Sequence, residues 1–418
     1  MSERTRTARL PLEPALPAEL AQELAQRVYF VSETITGFSL VRSAAGDQIT
    51  AVDVEFGAGH DGHSDGDPHA DAAAQAAELT RKINLVTAND LLGQRFVEPK
   101  VVWRAADTSP VADVYDELVA RGAAVEAGAG QIGVGEPVLS LMDHLDALLR
   151  GLVTAEFGAG EGAREFRYPT LITTDALRRT GYFESFPQMV MSVSRLHGDV
   201  DSYRRFLDDL ADGGDPRAAL AAHSGGFDLC VPPTMCFHTY HQFADAPLPE
   251  TSLVVTAKGK SFRNESRYRR SLERLWDFTI REIVFLGTPE FVLDARRRLM
   301  ERAYELVDAL ELGGRCEVAG DPFFLNDTTA ARAWSQKLLE LKYELRLPLD
   351  GERDVSVGSF NYHEQFFGRS FGIGDEAGEP VFTGCAGFGL ERFAYAFLCR
   401  HGLDPRSWPD AVRAAVAP

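Results

Sequence analysis

From Ser261 to Gly287 the chain reads SFRNESRYRRSLERLWDFTIREIVFLG, two strand-like ends around a polar middle. That pattern predicts an antiparallel hairpin with the polar stretch as its loop. Further strand-like runs, SLVVTA and DVSVGSF, alternate with helical patterns over Pro289–Leu310, Ala330–Leu345 and Leu390–Cys399. Upstream, PVLSLMDHLDALLRGLVTAEF has the periodicity of a helix of about four or five turns, and it runs into the extended REFRYPTLI. Residues 109–418 therefore read as one large α+β unit. Residues 1–108 read as a separate mixed α/β extension, with helical patterns at Pro17–Val28 and Ala72–Ile83 and strand-like ITAVDVEF and FVEPKVVWR.

At 418 residues the chain is long enough for two or three cored domains. It contains no run of about 18 apolar residues, and MSERTRTARLPLEP has no apolar signal region, so a soluble cytoplasmic protein is expected. Five scattered cysteines do not make a disulfide framework, which agrees with a reducing compartment. The net charge of −19 argues against a surface built to hold long nucleic acid. One local exception is KGKSFRNESRYRR, Lys258 to Arg270, with six cations against Glu265.

Two glycine- and histidine-rich stretches carry less than they suggest. His60, His63 and His69 stand among aspartates at irregular spacing, as in a flexible acidic loop rather than a metal site. Gly128-Ala-Gly130-Gln-Ile-Gly133 matches GxGxxG, but no helix opens on its glycines, so it is read as a loop.

Two other stretches carry chemistry. On the expected hairpin, Arg263 and Glu265 lie two apart on one strand face, and Phe278 lies on the return strand. An arginine fork, a carboxylate and an aromatic face suit a phosphate, an amino group and a purine, although a surface ion pair has the same pattern. In TGCAGFGLERF, Thr383 to Phe393, glycines at 384, 387 and 389 allow close approach of a ligand to the backbone. Arg392 opens the apolar helix that follows, where a guanidinium would stabilise charge on a transferring phosphorus.

Together these stretches resemble motifs 2 and 3 of the class II aminoacyl-tRNA synthetase catalytic domain, in order and about a hundred residues apart. Pro169 in YPTLI fits the looser motif 1, which forms the dimer interface in that class. The resemblance covers about residues 111–418 and implies an antiparallel sheet flanked by helices. It implies that Arg263 contacts the α-phosphate of ATP and Arg392 the γ-phosphate, with Mg2+ sharing the charge. Phe278 would stack on adenine, Glu265 would accept from its amino group, and Gly387 and Gly389 would line the nucleotide.

LCVPPTMCFHTYHQF, Leu229 to Phe243, resembles the seryl-tRNA synthetase loop whose Thr-X-Glu triplet holds the substrate amine. Here the triplet is Thr234-Met235-Cys236, and Cys385 replaces the first glycine of motif 3. Glu282, four residues after Phe278, shares its strand face. The resemblance thus implies that Cys236, Glu282 and Cys385 converge as a three-ligand zinc site with an open fourth position for an α-amino group. Cys230 is a rival ligand outside the triplet, and Cys316 and Cys399 read as core. No histidine neighbours Cys385 in sequence, which disfavours a cysteine nucleophile. SVGSFNYHEQFFGRSFGI resembles the serine-reading segment, with Ser359, Asn361 and Arg369 in comparable places, and His363 and Glu364 are read as ordinary strand residues.

The zinc-bearing pattern resembles both atypical seryl-tRNA synthetases and amino acid:[carrier protein] ligases. The acidic charge and the lack of a helical arm favour the ligase. It would act as a homodimer on a small amino acid and the phosphopantetheine arm of an acyl or peptidyl carrier protein, with tRNA not a partner. The alternatives are an atypical seryl-type tRNA synthetase and a non-catalytic paralogue. Carrier docking would fall near Arg267, Arg269 and Arg270, near Arg296 to Arg298, or on the insertion Ser194–Phe227.

Overall fold

The computed structural model describes residues 6–416 apart from 33, 58–67, 93–98, 129, 159–161, 266–270, 322 and 324–334. His60 and His63, and the basic residues Arg267, Arg269 and Arg270, lie outside the described residues. The chain forms two compact units, one of Met1–Glu98 with Glu265–Arg274, the other of Pro99–Asn264 with Leu275–Pro418.

In the first unit, strands β1 (Arg6–Pro17), β2 (Ile35–Arg42) and β3 (Gln48–Phe56) make an antiparallel sheet in the order β1-β3-β2. Alternation along β1 buries Leu10 and Leu12 and turns Arg9 and Glu13 outward. Helices α1 (Ala21–Val31) and α2 (Pro68–Val86) complete the core with Leu24, Val28, Leu79 and Ile83.

The second unit is built on an eight-stranded sheet. Its members are β4 (Val101–Arg104), β7 (Arg164–Phe166), β11 (Leu253–Phe262), β12 (Asp277–Gly287), β13 (Arg315–Val318), β14 (Lys342–Pro348), β15 (Asp354–Tyr362) and β16 (Phe382–Gly389). The remaining strands, β5 (Ala124–Gly128) with β6 (Gln131–Val134), and β8 (Ile172–Thr173), β9 (Ser192–Leu196) and β10 (Ser224–Cys230), form two small sheets. The large sheet runs β4-β13-β14-β15-β16-β12-β11-β7, and every neighbouring pair is antiparallel except β11 with β7. This is the expected antiparallel, helix-flanked α+β architecture.

β12 is central and buried from Ile280 to Gly287, so its two faces do different work. On one face the Arg281 guanidinium meets Asp146 of α3 (Val138–Phe157), and the Phe285 ring lies 5.8 Å from Phe157 of the same helix. A Cβ at Gly384, opposite Phe285, would meet Val292 of α5 (Pro289–Ala309) at 2.8 Å, so that helix covers the same face. The other face carries Phe278, Ile280, Glu282 and Val284. Directly opposed residues of antiparallel strands share a face. One row across the sheet therefore reads Ala257, Glu282, Gly387, Ser359, Glu344, Glu317. The next row reads Val255, Val284, Cys385, Asn361, Lys342.

Several expectations need correction. The unit boundary falls between Glu98 and Pro99 rather than at 108, because Val101–Arg104 adds an edge strand whose Trp103 stacks on Tyr304 at 4.5 Å. The helix expected over Ala330–Leu345 is absent from Lys342 onward. There the period is two, with Leu345 and Leu347 buried between charged neighbours, and the segment is β14. Arg263 and Glu265 do not sit on a strand: β11 ends at Phe262, although Arg263 N–H still donates to Trp276 O at 3.0 Å. The glycine-rich stretch read as a loop instead contributes to a small antiparallel pair, with Gly128 ending β5 and Gln131 and Gly133 in β6, and no helix opens on its glycines. The insertion between Ser194 and Phe227 is largely a helical pair, Val200–Leu210 and Pro216–His223, between β9 and β10.

Candidate active site and metal centre

The loop Val231–Met235 leads into α4 (Cys236–Gln242) and is pinned to the end of the β11–β12 hairpin. Phe262 N–H donates to Pro232 O at 2.8 Å, and Arg263 Nε to Pro233 O at 3.0 Å. Met235 lies flat on β11 because residue 259 is glycine: a Cβ there would come within 2.6 Å of the Met235 methyl. Thr234 Oγ1 then donates to Glu282 Oε2 at 2.8 Å, and the Cys236 thiol donates to Thr234 Oγ1 at 3.7 Å.

Cys236, Glu282 and Cys385 meet at this point, each buried, with ligand atoms all within 4.8 Å of one another. Glycine at 387 is part of that geometry. A Cβ would stand 3.3 Å from both Glu282 carboxylate oxygens and 2.9 Å from Ile280 Cδ1. Burial pushes the Glu282 carboxyl up to about 7. Burial likewise raises Cys236, and Cys385 is raised first by its hydrogen bond with Cys236 and then by burial. Three acidic groups packed together resist ionising side by side, and a divalent cation removes that conflict. Two thiols and a carboxyl are the donors zinc prefers, and a tetrahedral zinc needs ligand separations of roughly 3.5–4 Å, within reach of small side-chain rotations. The residues present fit the ion. Cys230 is apart from the trio and faces Thr174 Oγ1 at 3.7 Å, while Cys316 and Cys399 are core.

On the adjoining strand, Asn361 Nδ2 donates to Cys385 Sγ at 3.5 Å and to Ser359 Oγ at 3.3 Å. Arg369 is not drawn into these contacts. It lies exposed on α6 (Phe366–Phe371) and donates to Gln365 at 2.6 Å.

His363 overturns its reading as an ordinary strand residue. β15 ends at Tyr362, and the His363 ring turns to Cys385, with Nε2 3.9 Å from the sulfur and Nδ1 3.3 Å from the Tyr240 hydroxyl. Loss of solvent holds its pKa down to about 4. Cys385 thus has a histidine neighbour that linear spacing concealed. The signal was the period-two series Ser359, Asn361, His363, which continues one strand face past the strand end.

Arg263 lies beyond β11 with its guanidinium 5.3 Å from the centre of the Phe278 ring. Glu265 is buried and ion-paired with Arg274 at 3.5 Å, both within the first unit. The Glu391-Arg392 pair divides its labour at the start of α7 (Leu390–His401). Glu391 is buried, raised by burial, and accepts from the backbone and hydroxyl of Thr279 at 2.8 Å, which locks the helix to β12. Arg392 stays half-buried and donates to Ser356 O at 3.3 Å on β15. A Cβ on Gly389, the last residue of β16, would meet no described residue other than its chain neighbours within 4 Å. A buried charged cluster that sequence reasoning missed continues the same face: Lys342 pairs with Asp321 at 2.5 Å and Glu344 at 3.2 Å.

No family model matches the chain. An amino acid–[acyl-carrier-protein] ligase 1 of Bradyrhizobium diazoefficiens is 35% identical over 316 residues, 75% of this chain and 93% of that protein. A type-2 serine–tRNA ligase of Methanococcus aeolicus is 28% identical over 299 residues, and the match spans 56% of its length. Among solved structures, the Methanopyrus kandleri seryl-tRNA synthetase in complex with tRNASec superposes with a TM-score of 0.67 at 23% identity. That match covers 93% of this chain and 74% of the other. The likeness establishes the fold as that of the class II seryl-type synthetases. With that fold, and with 35% identity across 93% of the ligase, the chain belongs to the amino acid–[acyl-carrier-protein] ligase family.

Proposed function

We propose that this chain activates a small amino acid with ATP and transfers it to the phosphopantetheine thiol of a carrier protein. The convergence of Cys236, Glu282 and Cys385 on the sheet face that also bears Phe278 and Gly387 carries this reading. In the first step the amino acid carboxylate attacks the α-phosphorus, and pyrophosphate leaves. In the second the carrier thiol attacks the adenylate carbonyl, its proton is lost, AMP leaves and a thioester forms. Arg263 holds the α-phosphate and Arg392 the γ-phosphate, and Mg2+ would supply further positive charge to the phosphates, so catalysis is alignment and charge neutralisation. Phe278 stacks on adenine, Glu265 accepts from its amino group, and Gly387 and Gly389 admit the nucleotide. Zinc on the trio would hold the substrate's α-amino group at its open position. Thr234 supports Glu282, and Ser359 and Asn361 face the substrate. Arg369, exposed on its helix, is proposed only as a rim contact.

The test is ATP–pyrophosphate exchange against the twenty amino acids, followed by transfer of the labelled amino acid to carrier protein or to tRNA. Exchange is expected with one small amino acid, lost on chelation and restored by zinc, with label passing to the phosphopantetheinylated carrier. Transfer to tRNA alone would replace this reading with the seryl-tRNA ligase one. Against that alternative, residues 1–98 carry eight Lys and Arg and fifteen Asp and Glu, a poor charge balance for an RNA-binding arm.

The same resemblance supports a homodimer through the motif 1 region around α3 and Pro169. β7, which follows α3, lies at the edge of the sheet, where a further strand or helix can pack. Sedimentation at twice the chain mass is expected. A monomer at micromolar concentration would remove the inference.

A further inference from the structure

The two cysteines of the trio are joined by a second route that does not pass through Glu282. Cys236 opens α4, and Tyr240 stands four residues on, one turn along the same helix face. The Tyr240 hydroxyl lies 3.3 Å from His363 Nδ1, and His363 Nε2 lies 3.9 Å from Cys385 Sγ. From Cys236 the helix leads to Tyr240, and side-chain contacts lead on from the Tyr240 hydroxyl through His363 to the Cys385 sulfur.

Each link is held independently. The His363 backbone N–H donates to Thr383 O at 2.9 Å, and Thr383 N–H returns a bond to Glu364 O at 2.9 Å. These bonds extend the β15–β16 ladder past Tyr362 and place the imidazole beside Cys385. Phe367 braces both rings, stacked on Tyr240 at 4.3 Å and edge-on to His363 at 4.9 Å. Tyr240 is wholly buried. The arrangement has little freedom to drift, because the residues that fix the rings differ from those that supply the sulfurs.

We propose that Tyr240 and His363 act as a hydrogen-bonded strut that sets the gap between the two sulfurs, with His363 a positioning residue for the metal centre. It rests on the proposed zinc-binding reading of Cys236, Glu282 and Cys385. A metal-bound thiolate only accepts hydrogen bonds, so the facing nitrogen must carry the proton. His363 then presents Nε2–H to Cys385, and its bare Nδ1 accepts from the Tyr240 hydroxyl. In the metal-free protein the Cys385 thiol can donate instead, and the opposite tautomer is allowed. Metal loading thus selects one tautomer of one histidine. Asn361 adds a second N–H to the same sulfur, which makes Cys385 the more heavily supported of the two thiolates.

The experiment compares wild type with His363→Phe, His363→Gln and Tyr240→Phe. Zinc affinity is measured by chelator competition, cobalt-substituted absorption reads ligand geometry, and 15N-histidine long-range spectra read the tautomer. His363→Phe identifies the His363 signal among the ten histidines. Loss of the N–H is expected to weaken zinc by roughly 10–100-fold in His363→Phe, as for other groups that orient metal ligands. His363→Gln, which keeps an N–H, should recover part of that loss. Tyr240→Phe, which keeps the ring packing, should weaken zinc less and free the imidazole tautomer. In wild type, zinc should drive His363 to the Nε2–H form.

Zinc affinity within twofold of wild type in His363→Phe, with an unchanged cobalt spectrum, overturns the strut. So does an Nδ1–H tautomer in the zinc-loaded wild type, which requires no variant to fold. Absence of zinc uptake by wild type itself would instead remove the metal centre, and the strut with it. The two failures are therefore separable.

Discussion

Cys385→Ala is expected to leave a folded protein that no longer retains zinc and has lost at least about 10³-fold of its amino-acid-dependent pyrophosphate exchange. Structural zinc binding is worth about 10–16 kcal/mol over four ligands, so one thiolate accounts for roughly 2.5–4 kcal/mol, a factor of about 10²–10³ in affinity. Two remaining protein donors do not hold the ion against a chelator at micromolar concentration. Cys236→Ala should behave alike. Cys230→Ala, Cys316→Ala and Cys399→Ala should retain full zinc, since their sulfurs stand outside the trio. The readouts are metal content after gel filtration and exchange rate, with urea unfolding as the control for fold. Full zinc retention by Cys385→Ala, or its loss in Cys230→Ala, would move the site.

The same trio sets a pH dependence. Both thiols and Glu282 are raised above their ordinary values, so protons compete with the metal at all three positions. Apparent zinc affinity should rise with pH, and zinc binding should release protons. A pH-independent affinity between pH 6 and 9, measured by competition with a chelator of known protonation, would contradict this ligand set.

The convergence of these residues was legible through the family resemblance, and local periodicity supplied only one part of it. Glu282 shares a face with Phe278 by strand alternation, and Cys385 stands opposite Val284 in the neighbouring row of that face. What failed were places where tertiary packing overrode a local signal. KYELRLP is made largely of good helix formers, yet as a central strand it buries Leu345 and Leu347 on one face and sets charges on the other. Arg263 and Glu265 were assigned to a strand because alternation does not say where a ladder stops. His363 was missed because its neighbour Cys385 lies on the adjoining strand, 22 residues away in sequence. The ladder bonds of His363 carry the period-two face of Ser359 and Asn361 one residue further, and the chain turns only at Glu364, whose φ is 52°. Arg369 matched a position in a resembling segment; on its short helix Phe367 and Phe371 turn inward while Arg369 is exposed and donates to Gln365.

The opposite face of β12 gives the second large effect, on stability. Arg281 is 1% exposed and meets Asp146 through two bonds of 2.7 and 3.0 Å, Glu165 at 3.0 Å and Thr256 at 3.3 Å. It ties α3 and β7 to the centre of the sheet. Arg281→Met strips a buried cation from two carboxylates, a change that typically costs about 3–5 kcal/mol. The lower end is expected, because each carboxylate keeps another partner: Lys258 stands 3.4 Å from Asp146, and Arg150 stands 2.6 Å from Glu165. Arg281→Met with Asp146→Leu removes both halves of the most buried pair and should recover at least half the loss, since apolar replacement of a buried ion pair is often neutral. Asp146 and Glu165 are both held below their ordinary pKa: burial pushes them up, and the arginine contacts outweigh it. The network's contribution is therefore fully present above the unfolded carboxylate values near about 4 and is lost as pH falls through the lower folded values. Urea unfolding of Arg281→Met should accordingly differ most from wild type at pH 7 and converge with it in acid. Zinc content of the folded protein should not change, because Arg281 and Glu282 point to opposite faces. Stability within 1 kcal/mol of wild type at pH 7 would show that the network is dispensable. Zinc loss without loss of stability would show that the two faces of β12 cannot be separated, and that the chemistry of one depends on the charge buried under the other.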